Sequence, residues 1–263
     1  MDIGTIIGIS LGFFAIIGGF LMEGGHVAAV LQPTAAVIVF GGTWAAVIMQ
    51  FPLGDVARAF KDLRKAVFPP TADLMHVVEE MVKYAQRARK EGVVALETDA
   101  ESASDPFLAK ALRLAVDGSE AKVIRESMEV EMDRMEAEDD IGPKVFDAAG
   151  GFAPTIGILG AVLGLIHVMQ NLSDPSKLGA GIAVAFVATV YALFSANILY
   201  LPLAGRIRSR CKAAHREHEL VLTGVIAIVE GENPRIIEDK LKGYVGGKAA
   251  ASGSAPKAVR KAA

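Results

Sequence analysis

Four long apolar runs that carry no charged side chain constrain this chain more than any other feature. Residues 150–172 and 178–203 form two of them, joined by a short polar turn at 173–177. Residues 3–22 and 35–51 form the other two. A helix needs about 20 apolar residues to cross a bilayer, and all four runs lie within or above the usual range of lengths. The sequence therefore predicts an all-α membrane protein with four transmembrane helices.

The basic residues fix the predicted orientation of these spans. Every Lys and Arg except Lys177 lies either in residues 52–146 or after residue 203. Because cytoplasmic loops carry the excess of basic residues, both segments and both chain termini are predicted to be cytoplasmic. The beginning of the chain lacks the basic region of a cleavable signal peptide, so we expect the first run to be retained. Four basic residues after the fourth span are predicted to contact membrane lipids: Arg206, Arg208, Arg210 and Lys212.

The predicted domain organisation follows the alternation of apolar and polar sequence. A transmembrane hairpin at 3–51 precedes a helical cytoplasmic domain at 52–147, which is therefore inserted between spans 2 and 3. The second transmembrane hairpin covers 148–203, and a helical C-terminal cytoplasmic extension covers 204–245. Residues 246–263 are rich in Ala, Gly, Ser and Lys, a composition typical of a disordered tail.

Local patterns predict where helices begin and end in the polar segments. Residues 55–68 have helical periodicity with a basic face, which fits either a helix at the inner membrane surface or one packed on the cytoplasmic domain. Thr71 or Asp73 is predicted to cap the next helix, and Gly92 to end it. A proline directly after Asp105 predicts a further helix start.

Packing and breaks of the spans can also be predicted. Gly4, Gly8 and Gly12 recur every fourth residue, a spacing that lets another helix approach closely in lipid. Trp44 lies too deep for an interfacial anchor, so it either packs against protein or faces lipid tails. The Gly-Pro pair at 142–143 predicts a break before the third span.

Composition excludes several classes of function. The net charge is -3 and no basic stripe with interleaved aromatic residues is present, so nucleic acid is not an expected partner. No catalytic constellation, phosphate loop or metal-ligand cluster is recognisable, so we expect neither an enzyme nor a cofactor. His215 and His218 share one helix face, but without further ligands they predict no metal site.

Small polar residues within the third and fourth spans are the candidate functional groups. A mid-span proline, Pro154, frees a carbonyl, and hydroxyls such as those of Thr155 and Thr189 can line a wet path. The alternative is that these hydroxyls bond back to their own helix. Pro202 either belongs to the same pathway or only terminates the fourth helix. Since the four spans contain no carboxylate, the titrating group of an ion pathway must belong to another protein.

Several segments of the chain resemble a known family, the MotA/PomA flagellar stator proteins of the MotA/TolQ/ExbB proton channel superfamily. The similarity extends from the first residue to about residue 244 and keeps the order and spacing of all its blocks. The segments are EGG at 23–25, IVFGGT at 38–43, ARKEGVVALE at 88–97, APTIG at 153–157, GLIH at 164–167, DPSKLG at 174–179 and GENPR at 231–235.

This resemblance implies a location, partners and roles for individual residues. A homo-oligomer, a pentamer, would surround two helices of a single-span MotB-type protein in the bacterial inner membrane, and the membrane aspartate of that partner would take the ion. Pro154 matches the proline that transmits the protonation change, and Pro202 matches a second one. Arg89, Lys90 and Glu97 match the cytoplasmic charges that engage the rotor protein FliG.

The resemblance also bears on which ion is transported and on the alternatives. Sodium-driven relatives carry threonine where this chain has Ala161 and Ala188, and a hard cation needs such oxygen ligands. We therefore predict protons, with sodium as the alternative ion and no other cofactor. Two other functions stay open: an ExbB/TolQ-type proton-driven energiser of envelope transport, which differs in having three spans, and a non-conducting membrane scaffold.

Overall fold

A computed structural model describes residues 3–67, 73–170 and 175–245 of the 263-residue chain, and within these ranges every regular element is helical. The predicted tail at 246–263, the candidate cap Thr71 and residues 173–174 of the predicted turn lie outside the described residues. Residues 175–177 of that turn belong to a helix. The helices are α1 (Ile3–Met22), α2 (Pro33–Gln50), α3 (Leu53–Val67), α4 (Leu74–Glu91), α5 (Glu97–Ser102), α6 (Pro106–Val116), α7 (Ala121–Asp139), α8 (Ile141–Gln170), α9 (Pro175–Phe194), α10 (Leu201–Val229) and α11 (Pro234–Val245).

Four helical segments among the described residues are long and apolar enough to cross a membrane, which confirms the predicted all-α fold with four spans. They contain α1, α2, α8 and the continuous helix formed by α9, a π-helical segment at Ser195–Tyr200 and α10. The last two run well beyond their apolar stretches.

The predicted break before the third span occurs at Asp140, two residues before the Gly-Pro pair. Pro143 falls in the first turn of α8, where a missing N–H leaves no intrahelical bond unmade. Of the two alternatives for Pro202, termination of the fourth helix is wrong, because the helix continues through it to residue 229. The π-helical segment just before Pro202 explains this continuity: Leu201 donates to the carbonyl of Ala196, five residues back, and the widened turn accommodates a residue without an N–H.

The described chain divides into two compact units. Among the described residues, the membrane unit comprises 3–67, 138–170 and 175–211, and the helical unit comprises 73–137 and 212–245. Helix α3 belongs to the membrane unit, where it packs along α8 and buries Val56 and Ala59. Of the two predictions for this amphipathic helix, the structure therefore favours the one that keeps it with the spans.

The membrane unit is held together where small residues of α8 meet small residues of α9. A Cβ atom added at Gly157 would lie 2.3 Å from the Ala192 Cβ, and one at Gly160 would lie 2.9 Å from the Ala188 Cβ. At Gly164 the added atom would meet backbone, 2.8 Å from the Ala185 nitrogen. The two helices thus run antiparallel with their backbones in contact, as small residues allow in lipid. We call this contact the α8–α9 seam.

An aromatic cluster at one end of the membrane unit decides the position of Trp44. Its ring centroid lies 5.0 Å from that of Phe60, 5.8 Å from that of Tyr200 and 6.3 Å from that of Phe146. The indole therefore packs against protein, on α3, α8 and the π-helical segment. This contact joins α2 to the rest of the unit.

The helical unit has its own core and begins its helices as the sequence predicts. Asp73 accepts hydrogen bonds from the N–H groups of Met75 and His76, and Asp105 accepts one from Phe107. Side-chain hydrogen bonds from Arg134 and Lys110 lower the pKa of Glu131 to about 2, and the Lys110 bond links α6 to α7. The largest side chains fully buried in this core are Met81, Leu96, Leu112, Ile124, Met128, Leu220, Ile237 and Leu241.

The α8–α9 seam makes a direct prediction for Gly164→Ala. The added methyl would lie 2.8 Å from the Ala185 nitrogen and 2.9 Å from the Gly181 oxygen, and backbone atoms cannot rotate away. Overpacking of this kind costs about 1–3 kcal/mol. We expect a lower melting temperature in detergent and less folded protein in the membrane. Gly151→Ala on the same helix, with no atom within 4 Å, is the matched control; equal melting of both variants would contradict a tight seam.

Candidate functional site

The α8–α9 seam contains two residues singled out from the sequence, Thr189 and Ala188. Thr189 is half-buried, and its Cα lies 3.7 Å from the Cβ position of Gly157. Ala188 is fully buried and is the nearest neighbour of Gly160 across the seam. Ala161 follows Gly160 on α8 and is half-buried.

Thr155 lies away from this seam. Its side chain is exposed in the isolated chain, together with the apolar side chains of Ile158, Leu159 and Val162 one and two turns further along α8. Pro154 beside it is half-buried inside the same helix. We call the four exposed residues Thr155, Ile158, Leu159 and Val162 the Thr155 surface. It is an apolar face with a single hydroxyl.

Four polar side chains of the third and fourth spans bond to their own helices, whereas the Tyr191 hydroxyl donates to the carbonyl of Val30. Thr155 donates to the carbonyl of Phe152 at 2.8 Å, and Thr189 to that of Ala185 at 3.3 Å. Ser195 and Asn197 do the same, at 3.1 and 2.9 Å, to carbonyls three and four residues back. These side chains therefore donate their hydrogen bonds to their own helices, which was the alternative to lining a wet path. Each hydroxyl oxygen keeps the capacity to accept a hydrogen bond.

Pro202 lies at a different place from Pro154 and Thr189. It lines a cavity between the beginning of α1 and the fourth span, near Asn197 and Arg206. The structure therefore places Thr189 in the seam, leaves Thr155 on an outer face and sets Pro202 at a separate cavity.

Arg89, Lys90 and Glu97 lie on a second candidate surface, the charged corner, in the helical unit. Helix α4 ends where the N–H of Gly92 bonds to the carbonyl of Ala88 at 2.9 Å, as predicted. Gly92 then adopts φ +88° and ψ 158°, a conformation that side chains disfavour, and a short 3-10 turn leads to Glu97. All three charged side chains are exposed, and none of them pairs with another described residue.

Sequence reasoning missed the residue that braces this corner. A nitrogen of the Arg87 guanidinium lies 2.7 Å from a carboxylate oxygen of Asp99, and its Nε lies 3.3 Å from Glu91. The first contact bridges α4 and α5 across the turn at Gly92. The sequence shows only a basic residue in the last helical turn, and nothing in it indicates that the chain folds back there.

The sequence analysis also gave no individual role to Thr43 in α2. It is completely buried, and its hydroxyl has no hydrogen-bond partner among the described residues. It comes two residues after a π-helical segment, Val37–Gly41. An unsatisfied buried hydroxyl costs about 1–3 kcal/mol, so this position is a local weak point of the second span.

No group of three or more potential metal-ligating side chains occurs in the part of the chain that the structure describes. The partly buried His215 has Glu219 at 3.5 Å and Glu136 at 3.9 Å from its ring nitrogens. His218 stacks on the ring of Phe107 instead. These two histidines therefore point to different neighbours.

Comparison with known proteins identifies the family. The family model for the motility protein A N-terminal region matches residues 6–92, and that of the MotA/TolQ/ExbB proton channel family matches residues 99–220. Motility protein A of Bacillus subtilis (strain 168) is 36% identical over 252 residues, covering 94% of this chain and 92% of the relative. The chain belongs to the motility protein A family.

Other relatives and solved structures agree with this membership. Chemotaxis protein PomA of Vibrio alginolyticus is 32% identical over 245 residues, covering 93% of this chain and 96% of PomA. The structure of C. jejuni MotAB matches with a TM-score of 0.89 at 29% identity, and that of the Bacillus subtilis flagellar MotAB stator complex with 0.86 at 34%. Each match covers 94% of this chain and 97% of the other. As a member of this family the chain is a protein of the bacterial inner membrane.

Proposed function

We propose that this chain is a stator subunit of the bacterial flagellar motor and forms, with a MotB-type partner, an ion channel that converts ion flow into rotation. The observation that carries this proposal is the match to a flagellar MotAB stator complex over 94% of the chain, with a TM-score of 0.86. The match at residues 6–92 to the motility protein A N-terminal region favours a stator over an ExbB/TolQ-type energiser.

The division of work between chain and partner follows from the charges of the spans. None of the four spans carries a carboxylate, so this chain alone has no acid to relay an ion through the bilayer. A charged residue at the middle of a membrane costs about 2.5–3.5 kcal/mol, a cost expected only where function demands it. In our proposal the partner supplies that acid on a single helix, which packs against the Thr155 surface.

The assembly and orientation extend this proposal. Five copies would form a ring around two partner helices, with both termini of each chain in the cytoplasm, because the basic residues outside the spans favour that side. The charged corner would then lie in the cytoplasm and engage FliG. Its three exposed charges, free of partners among the described residues, are available for such a contact.

The mechanism couples neutralisation of the partner's acid to a step of the ring. While charged, the carboxylate would accept hydrogen bonds from the Thr155 and Thr189 hydroxyls, which rotate away from the carbonyls of their own helices to donate to it. Binding of an ion removes this attraction, and the ring turns until the next subunit meets the second acid. One charge that crosses 100 mV releases about 2.3 kcal/mol, several times thermal energy, which suffices to bias such a step. Pro154 and the π-helical segment supply places at which the inner helices can bend.

Protons are the proposed ion, and sodium removal tests this. The side chains of Ala161 and Ala188 provide no oxygen ligands, so a sodium ion would lack part of its coordination. Cells that depend on this protein should swim at unchanged speed when sodium is replaced by potassium. A sodium-driven PomA strain, which should stop, is the control. Motility that collapses without sodium would assign sodium instead.

Replacement of both Thr155 and Thr189 by valine separates a motor from a scaffold. Valine keeps the shape and removes the hydroxyls, so the membrane level and oligomeric size should stay unchanged while swimming stops. Ser195→Ala, which removes a hydroxyl that donates to its own helix in the buried interior, is the control and should swim. Normal swimming of the double variant would support the scaffold.

Charge reversal at Arg89 and Glu97 tests the charged corner. Both side chains are exposed, so Arg89→Glu with Glu97→Lys should abolish swimming while assembly in the membrane is retained. The matched control reverses an exposed ion pair of the same unit, Arg125→Glu with Glu129→Lys, and should swim normally. Loss of assembly in the first variant alone would make the corner structural, not rotor-binding.

A further inference from the structure

Two residues of the charged corner, Arg89 and Glu97, each have a like-charged neighbour two positions away in the same helix. Arg87 precedes Arg89 near the end of α4, and Asp99 follows Glu97 in the first turn of α5. Residues two positions apart lie about 200° apart around a helix, on nearly opposite sides. Arg87 and Asp99 are partly buried, whereas Arg89 and Glu97 are exposed. Whatever fixes the inner two side chains therefore fixes the directions of the outer two.

The two inner residues form an ion pair with each other. A nitrogen of the Arg87 guanidinium lies 2.7 Å from a carboxylate oxygen of Asp99, and its Nε lies 3.3 Å from a carboxylate oxygen of Glu91. A guanidinium holds its donors in a rigid planar fork, so contacts at two of its nitrogens fix its orientation. Among the described residues, no other hydrogen bond or ion pair joins side chains of α4 and α5.

The backbone between the two helices does not by itself fix their arrangement. Gly92 has φ +88°, and glycine has more conformational freedom than any other residue. The turn that follows begins with a hydrogen bond from the N–H of Ala95 to the carbonyl of Gly92 at 3.1 Å. The buried side chains of Leu96 and Ala100 anchor the apolar side of this segment in the core. Its polar side, which carries the exposed charges, is held by the ion pair.

The pair contributes more to this local arrangement than to stability. The side chains of Arg87 and Asp99 are 39% and 23% exposed, and ion pairs near the surface add little to the free energy of unfolding. The helical unit has an apolar core to which neither residue belongs. The main consequence of the pair is therefore the angle at which the charged corner faces the solvent.

We propose that Arg87 and Asp99 are positioning residues for rotor binding. Their ion pair holds the basic Arg89 and Lys90 at a fixed separation from the acidic Glu97, so that a partner with charges of both signs meets all three in register. The pair itself does not touch the partner. The inference rests on the proposed function of the charged corner, and it adds two residues that act only through that surface.

The test compares Arg87→Gln, Asp99→Asn and the double variant in cells that depend on this protein. The two single variants change the net charge in opposite directions, but both break the pair. Each should lower the swimming speed about two- to fivefold, the range for loss of a partly exposed ion pair. The double variant should be no faster than either single variant, because the pair is lost only once. Arg87→Lys, which keeps the charge, should retain more speed than Arg87→Gln.

The matched control is Lys110→Gln, which removes the same charge from another ion pair between helices of this unit. Lys110 lies 3.0 Å from Glu131, and this variant should swim normally. Hydrogen exchange of the purified full-length chain in detergent gives a second measurement. The amides of residues 93–99 should exchange faster in Arg87→Gln and in Asp99→Asn, while those of α6 and α7 exchange as in the wild type.

Four results would overturn the proposal. The first is normal speed of the double variant when both single variants are slow, because charge balance and not the pair would then matter. The second is normal speed of either single variant, and the third is equal slowing by Lys110→Gln. The fourth is unchanged exchange of residues 93–99. Should Arg87→Gln fail to accumulate in the membrane, Asp99→Asn, which keeps the side-chain shape, decides in its place: slow swimming supports the proposal and normal swimming contradicts it.

The charge-reversed variant Arg89→Glu with Glu97→Lys separates this inference from the proposed function. Normal swimming of that variant would contradict the rotor-binding role of the charged corner, and the positioning role would fall with it. If that variant stops while Arg87→Gln and Asp99→Asn swim normally, the corner binds the rotor and only the positioning role is wrong.

Discussion

The backbone contact between α8 and α9 is the constraint on which the membrane unit depends. In lipid the hydrophobic effect does not press helices together, so association relies on close packing of backbone and small side chains. Gly157, Gly160 and Gly164 meet alanines at successive levels, and the antiparallel pairing fixes which residues share a level. That register buries Ala188 against Gly160 and leaves Thr155 exposed outside the seam. The positions of the glycines therefore decide which small residues are enclosed between the two helices.

Much of the fold could be predicted because its signals are local. Charge-free runs of sufficient length indicate the spans, and Asp73, Gly92 and Asp105 mark helix ends through bonds to residues within four positions. The structure departs from local rules at two prolines. Proline usually terminates a helix, but the π-helical segment before Pro202 accommodates it within a continuous helix. The pair at 142–143 falls inside a first turn, where proline is favourable.

The parts of the candidate site that could not be predicted are contacts between elements distant in the sequence. Arg87 and Asp99 are twelve positions apart, and neither residue type nor spacing indicates that they pair. Trp44 has partners on three other elements, so a sequence pattern leaves lipid and protein as equal choices. The cavity beside Pro202 depends on α1 approaching the fourth span at Gly12 but not at Gly8. Equal glycine spacing cannot distinguish these two positions.

The hydrogen bonds within the spans bear on how such a chain can work. Thr155, Thr189 and Asn197 donate to carbonyls of their own helices, which keeps these groups satisfied without a partner. In the proposed ring, a charged group on the companion helix would meet the same side chains in every copy, so its successive positions would be equivalent in energy. The energy of each step would then come from the ion on the companion's acid, while the helices of this chain determine where the step ends.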